Sequence, residues 1–331
     1  MKRDYQIDNI KGLLILLVVF GHSLELMRLE SGLANFIYIF IYTFHMPVFI
    51  FYAGYLSKNV KKVSDNAFKD LFIPFLLFNS VWNLIQVFFT RNVQIPVESP
   101  TLFSFLNPGW ALWFIFALFI WRLLLPHLLK VKKIVIVTLV IGLLSRLFSE
   151  FNIFMSLSRI LVFSPYFIVG FLVTKEALDK LRTVKMRYVL LAFVVTVIFT
   201  YIYVFHTTFP TEFLWGDRSF SHFQVKVIPS ILFGLLLYII GFSFNLIFLK
   251  IAPYTESRLT KIGQNSLPVY ILHTYIIGGI SLYLLQVSND FISLTLLAIA
   301  SLALTLILSS NYVTNRFKGF LNVIDNFFFK H

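Results

Sequence analysis

The fold is decided by residues 7–22, IDNIKGLLILLVVFGH, in which a long apolar run ends at a glycine and a histidine. Every residue from 13 to 20 is apolar, so this segment suits the interior of a membrane. His22 carries a titratable ring into that apolar helix. Because a charged side chain at the centre of a bilayer costs about 3 kcal/mol, such a residue is by default a candidate for function.

The rest of the chain has the composition of a membrane protein. Of its 331 residues, 58% are hydrophobic and 13% are charged, and the mean hydropathy is +0.83. A soluble domain is about 25% charged. Apolar runs near the ~20 residues that cross a bilayer as a helix recur throughout, which predicts an all-α, polytopic membrane protein with about ten transmembrane helices in one domain, residues 1–331. The predicted spans are 10–28, 34–56, 70–90, 109–129, 134–149, 156–174, 188–206, 224–249, 266–287 and 291–311.

The distribution of basic residues predicts the topology. The net charge is +13, from 28 Lys and Arg against 15 Asp and Glu. If the predicted spans alternate, most of the basic residues lie on the side of the N-terminus, so both termini are predicted to be cytoplasmic and the 91–108 and 207–223 loops to be outside. The basic loops are expected to contact anionic lipid, or alternatively an anionic cytosolic substrate. We predict a multi-pass protein of the cell membrane with no nucleic-acid partner, and the first span is expected to remain uncleaved.

The absence of cysteine limits the chemistry that the chain can perform. Without cysteine it has no disulfides, no thiolate metal ligands and no cysteine acyl-enzyme. No HExxH, Walker or dinucleotide-binding motif occurs. Any catalysis by side chains must therefore use histidine, carboxylate, hydroxyl or lysine groups.

Charged residues form a stripe on the first predicted helix. Lys11 and His22 are eleven residues apart, which is about three helical turns, so they lie on nearly the same face and ~16 Å apart along the axis. Asp8 and Glu25 share that face through i,i+3 spacing. A carboxylate such as Glu25 can orient the imidazole and stabilise its protonated form, as a general base requires. This pattern predicts His22, Lys11 and Glu25 as catalytic residues; the alternative is a histidine that only bonds to a neighbouring helix.

The second predicted span contains another histidine, in YTFHMPVFIFYAGYLSK, residues 42–58. His45 is followed by Met-Pro, and Pro47 leaves a backbone carbonyl one turn earlier without its helical donor. Such breaks persist in membranes only where protein or a water-filled cavity satisfies the backbone. His45 is therefore either the partner of a kinked helix or part of a cavity wall.

Further candidates for substrate binding lie in the middle and later spans. Tyr270 and His273 are three residues apart on one helix face, and Trp113 shares a face with Trp110. Arg122 is a cation within the fourth predicted span. The alternatives are packing for the first pair, interfacial anchoring for the tryptophans, and extension of Arg122 toward the inner interface. A zinc site built from three of the histidines is not enforced by any spacing, so no metal is predicted.

Six segments in order resemble the acyltransferase-3 family of integral membrane acyltransferases. Residues 7–22 resemble its opening signature, which is an aspartate, a basic residue followed by glycine, and a histidine eleven residues after the basic residue. The further matches are FHMPVFIFYAGYLSK (44–58), KDLFIPFLLFN (69–79), GWALWFIFAL (109–118), SPYFIVGFLV (164–173) and IGQNSLPVYILH (262–273). Two positions differ from the usual pattern: Lys11 stands where many members have arginine, and Asp70 follows Lys69 where many have a second basic residue nearby.

The resemblance implies O-acylation of an extracytoplasmic glycan, with cytosolic acyl-CoA, chiefly acetyl-CoA, as a co-substrate rather than a bound cofactor. Cytoplasmic lysines such as Lys69 would then bind the anionic nucleotide, and the pantetheine arm would reach His22. The aromatic and polar groups that sugar binding uses are found together in the second outer loop, and interfacial anchoring is the alternative for its aromatic residues. They are Glu212, Phe213, Trp215, Asp217, Arg218 and Phe220.

Two questions stay open at the level of sequence. Transfer can be direct, with His22 as general base, or can pass through an acyl-histidine or an acyl-Ser23 intermediate. A membrane transporter or flippase for a glycan-linked lipid or small solute would also have many spans, intramembrane polar residues and a proline-broken helix.

Overall fold

The computed structural model describes residues 3–93, 105–151, 154–207, 209–284 and 289–328. Within these ranges the regular structure consists of helices and short 3₁₀ or π turns, without strands, which confirms the predicted all-α class. The helices are α1 (Tyr5–Ser23), α2 (Gly32–Tyr42), α3 (His45–Tyr55), α4 (Val60–Asp65), α5 (Ile73–Val93), α6 (Trp113–Leu128), α7 (Ile134–Leu144), α8 (Leu157–Leu172), α9 (Lys175–Arg182), α10 (Met186–His206), α11 (Val227–Ile251), α12 (Arg258–Gln264), α13 (Ser266–Leu272), α14 (Ile277–Leu284), α15 (Asp290–Leu308) and α16 (Asn311–Phe328).

In the described ranges, seven helical segments are long and apolar enough to cross a membrane, and an eighth is added if α13 and α14, bent by 50° at a short break, count as one broken span. The seven are Gly32–Tyr55, Phe68–Phe88, Trp110–Leu128, Phe154–Leu172, Met186–His206, Val227–Ile251 and Asp290–Leu308. Two of the predicted spans fall outside this set. The segment Ile134–Leu147 is shorter than the others, and α1 carries polar residues through its first two turns.

The second predicted span, 34–56, corresponds to the segment Gly32–Tyr55, which is interrupted between α2 and α3. The chain leaves helical geometry between α2 and α3 at Phe44, because a proline at position 47 can neither donate to the carbonyl four residues earlier nor fit against it. Side chains take over the bonds lost at this break. His45 Nδ1 lies 2.8 Å from the Ile41 carbonyl oxygen, and Thr43 Oγ1 donates to the Phe40 carbonyl over 2.7 Å. The break fixes the direction in which the His45 ring points.

Helix α1 is buried among other helices and touches α12 through backbone atoms. A Cβ atom added at Gly12 would overlap the Leu259 carbonyl, and one added at Gly263 would overlap the Asp8 carbonyl. Only glycine permits this approach, as at other close crossings of membrane helices.

Hydrogen bonds from one side chain lock the same crossing. Asn9 Nδ2 donates to the carbonyls of Pro253 (2.8 Å) and Thr255 (2.9 Å). Its Oδ1 accepts from Ser257 Oγ (2.8 Å) and Thr260 Oγ1 (2.6 Å). The two donors and the two acceptor positions of the amide are therefore all used by the start of α12 and the residues just before it, which holds the first half of α1 in place.

Candidate active site

The catalytic candidates His22 and Glu25 meet at the end of α1. His22 lies in the last turn, and its Nδ1 is 3.5 Å from Glu25 Oε2 in the turn that follows. Trp110 Nε1 donates to the same carboxylate oxygen over 2.8 Å, which holds Glu25 in position. The Tyr42 hydroxyl oxygen lies 3.3 Å from His22 Nδ1. Because an ionised carboxylate can only accept, this arrangement favours the tautomer with the proton on Nδ1 and leaves the Nε2 lone pair available as a base.

The other two candidate histidines lie close to His22. The ring centroids of His22 and His273 are 5.3 Å apart, and the Tyr42 ring is 6.1 Å from His22 and 4.6 Å from His45. His273 Nδ1 lies 3.0 Å from the Val269 carbonyl, as His45 Nδ1 does from its own carbonyl one turn earlier. Both rings therefore carry their proton on Nδ1. In the described part of the chain no group of three or more histidines and carboxylates is placed to hold a metal ion.

His22 and Glu25 open into a cavity of about 260 Å³, which we call the histidine cavity. It is lined by His22, Glu25, Tyr42, His45, Met46, Pro108, Trp110, Trp113, Arg159, Phe163, Leu214, Trp215, Asp217 and Tyr270. The structure thus brings together seven residues that the sequence singled out in separate segments, namely His22, Glu25, His45, Trp113, Trp215, Asp217 and Tyr270. His273 lies behind His22 and is fully buried.

Part of the wall of the histidine cavity is an ion pair that spans two distant segments. Arg159 on α8 donates from Nη2 to Asp217 Oδ2 (3.0 Å) and from Nε to the Trp215 carbonyl (3.2 Å), and its guanidinium lies 5.3 Å from the Trp113 ring centroid. Asp217 Oδ1 is buried and has no hydrogen-bond partner within the described residues. An oxygen left in this state needs a donor from a ligand or from water. Arg159 was not among the predicted site residues, although a cation within a predicted span was the signal that singled out Arg122.

A second cavity, of about 200 Å³, surrounds Lys11, and we call it the lysine cavity. It is lined by Lys11, Phe49, Ala53, Leu56, Leu71, Phe114, Ile115, Leu118, Arg122, Ser266, Leu267 and Tyr270. Lys11 Nζ is 3.9 Å from Asp8 Oδ1, and Arg122 Nε donates to Ser57 Oγ over 3.2 Å. Two cations therefore stand in a wall that is otherwise largely apolar, which is an arrangement that attracts an anion.

The structure does not bring Lys69 together with the other candidates. Its Nζ lies 2.5 Å from Asp325 Oδ2 on α16, and it lines neither cavity. The amphipathic helix α16 follows the last predicted span and was not predicted. The expected donor-binding role of Lys69 stays a prediction, and this ion pair competes with it.

The chain matches a model of a known protein family. A family model described as an acyltransferase domain matches residues 4–310. The chain belongs to this acyltransferase-3 family. The residues of α1, of the break before His45 and of the segment around Tyr270 all fall inside the matched range. The protein is therefore a membrane acyltransferase.

Two curated proteins are similar to parts of this acyltransferase. Both are named nodulation protein NolL. The protein from Sinorhizobium fredii is 38% identical over 87 residues, which cover 23% of each chain. The protein from Mesorhizobium japonicum is 29% identical over 185 residues, which cover 51% of this chain and 48% of the relative. The matched segments thus span less than half the length of these relatives. No solved structure matches the chain.

Proposed function

We propose that this acyltransferase moves an acetyl group from cytosolic acetyl-CoA to a hydroxyl group of an extracytoplasmic glycan. The observation that carries the proposal is the His22–Glu25 pair, which faces a cavity large enough for a polar substrate group. Glu25 keeps the proton on Nδ1, so Nε2 is free to act as a base. A sugar as the acceptor is supported by the aromatic and polar groups of the cavity wall, which are Trp113, Trp215 and the Arg159–Asp217 ion pair.

The proposed reaction is a direct transfer. His22 Nε2 takes the proton of the acceptor hydroxyl as its oxygen attacks the thioester carbonyl carbon, and the new C–O bond forms. The C–S bond then breaks, and the imidazolium returns the proton to the sulfur of CoA. Glu25 stabilises the imidazolium between these steps. An acyl-Ser23 intermediate is disfavoured, because the Ser23 hydroxyl is buried and donates to the Phe20 carbonyl over 2.7 Å.

The lysine cavity is the proposed site of the donor. Lys11 and Arg122 would bind phosphate oxygens of CoA, and the apolar wall would hold the pantetheine arm. The arm then points toward His22, about 16 Å further along α1. The orientation of the two cavities, with the lysine cavity toward the cytosol, follows the predicted topology.

The proposed function is tested by the O-acetyl content of envelope glycans. Cells that carry the gene should show O-acetyl NMR signals that are missing from cells without it or with His22→Ala. Purified protein in liposomes with labelled acetyl-CoA and the extracted glycan should consume the thioester. If solute or lipid crosses the bilayer while the thioester stays intact, the protein acts as a transporter and the proposal is wrong.

We expect Lys11→Ala to raise the KM for acetyl-CoA by ~10- to 100-fold, because a charge-assisted hydrogen bond contributes ~1.5–3 kcal/mol. The effect on kcat should be smaller, since Lys11 lies three turns from the reacting atoms. Initial rates of thioester consumption measure both constants. Lys132→Ala, which removes an exposed lysine far along the chain, is the matched control. An unchanged KM for Lys11→Ala in folded protein would place the donor elsewhere.

A further inference from the structure

The two cavities lie end to end between the same helices. Helix α1 contributes Lys11 to the lysine cavity and His22 to the histidine cavity. Helix α3 contributes Phe49 to the first and Met46, one turn earlier, to the second. Helices α6 and α13 likewise line both. The two cavities therefore follow one another along the length of the same helices.

The cavities meet at one side chain. Among the described residues, Tyr270 is the one that lines both. It is 3% exposed, and its ring packs edge-on against Phe114 (5.4 Å between centroids, 70° between planes) and against His273 (5.9 Å, 62°). Aromatic contacts of this geometry add to the burial of the ring and hold it in one orientation.

The Tyr270 hydroxyl is also fixed. It donates to the carbonyl oxygen of Ala111, which lies in the 3₁₀ turn Trp110–Leu112 ahead of α6. The same turn carries the indole that holds Glu25. Tyr270 is thus held at two points. Its backbone belongs to α13, and its hydroxyl is bonded to the Trp110–Leu112 turn that also carries the partner of Glu25.

We propose that Tyr270 is a partition between the lysine cavity and the histidine cavity, closed in this structure, which must swing aside for a thioester arm to reach His22. The role toward the donor rests on the proposed function; the separation of the two cavities does not. In its closed position the Tyr270 ring keeps water in the histidine cavity away from the thioester until the thioester arm pushes the ring aside. Exclusion of water prevents hydrolysis as a side reaction.

The absence of cysteine allows a test of the partition that needs no enzymatic activity. Ala53→Cys places a single thiol in the lysine cavity, and Met46→Cys places one in the histidine cavity. A charged, membrane-impermeant methanethiosulfonate reagent is applied to sealed vesicles of each orientation. With Tyr270 intact, the two thiols should react from opposite sides. If both react from the same side at similar rates, the cavities already communicate and the proposal is wrong.

Tyr270→Ala should raise the labelling rate of Ala53→Cys from the histidine-cavity side at least tenfold, because the shared wall is gone. Tyr270→Phe should not, since the ring remains. Tyr275→Ala is the matched control: it removes a tyrosine that lines neither cavity and donates to the Phe78 carbonyl. An unchanged rate with Tyr270→Ala, or an equal rise with Tyr270→Phe or Tyr275→Ala, would overturn the partition. If the labelling results hold but no acyl transfer is found, the proposed function alone fails.

Discussion

Replacing His22 with alanine should lower acyl transfer by ~10²–10⁴, the contribution of a general base. The protein should still fold and insert, because the substitution removes a polar ring from an apolar environment and leaves Glu25 bonded to Trp110. Binding of acetyl-CoA should persist, since the proposed donor contacts are on the lysine cavity. The measurement is the transfer rate together with the affinity for acetyl-CoA. A folded, donor-binding His22→Ala protein that transfers at nearly the parental rate would remove His22 from the mechanism.

A second variant measures the contribution of Glu25 separately from that of His22. Glu25→Gln keeps an oxygen for the Trp110 indole but loses the charge that stabilises the imidazolium. Transfer should fall less than in His22→Ala, because the base itself remains. If Glu25→Gln is as active as the parent, the 3.5 Å contact with His22 is structural only.

Replacing Gly263 with alanine should destabilise the fold by about 3 kcal/mol or more, at the upper end of the cost of overpacking. The added Cβ overlaps the backbone carbonyl of Asp8, and α1 cannot move away because Asn9 is fully bonded to the neighbouring segment. Thermal unfolding in detergent, or the yield of monodisperse protein, measures the loss.

Gly319→Ala in α16 is the matched control for this substitution. No heavy atom lies within 4 Å of a Cβ built at Gly319, and the helix is regular there. Alanine is favoured over glycine in a helix interior by about 1 kcal/mol, so this variant should be neutral or slightly stabilising. Equal behaviour of the two variants would contradict a tight crossing of α1 and α12.

The sequence could predict the parts of the site that depend on local geometry. Helical spacing put Lys11 and His22 on one face, and i,i+3 spacing placed Glu25 near the imidazole. Proline chemistry predicted a backbone break beside His45, and the segment Gly32–Tyr55 is interrupted there, between α2 and α3. Each of these inferences uses residues within about three turns of one another.

The remainder of the site depends on contacts between distant segments. Arg159 and Asp217 are 58 positions apart, and neither the pair nor its place beside Trp113 leaves a periodic signal in the sequence. The ion pair between Lys69 and Asp325 likewise depends on how α16 returns to the start of α5. Such pairings are set by tertiary packing, which spacing rules do not reach.

The hydrogen bonds of Asn9 at the crossing of α1 and α12 bear on which acyl donors the protein can use. Asn9 bonds the first half of α1 to its neighbours, and one uninterrupted helix, Tyr5–Ser23, sets the separation of Lys11 and His22. Under the proposed function, the distance between Lys11 and His22 selects donors by their length. A thioester whose anionic group and reactive carbon are spaced to match both residues reaches the base while still anchored. A truncated thioester without the nucleotide can reach His22 but lacks the anionic group that would bind Lys11.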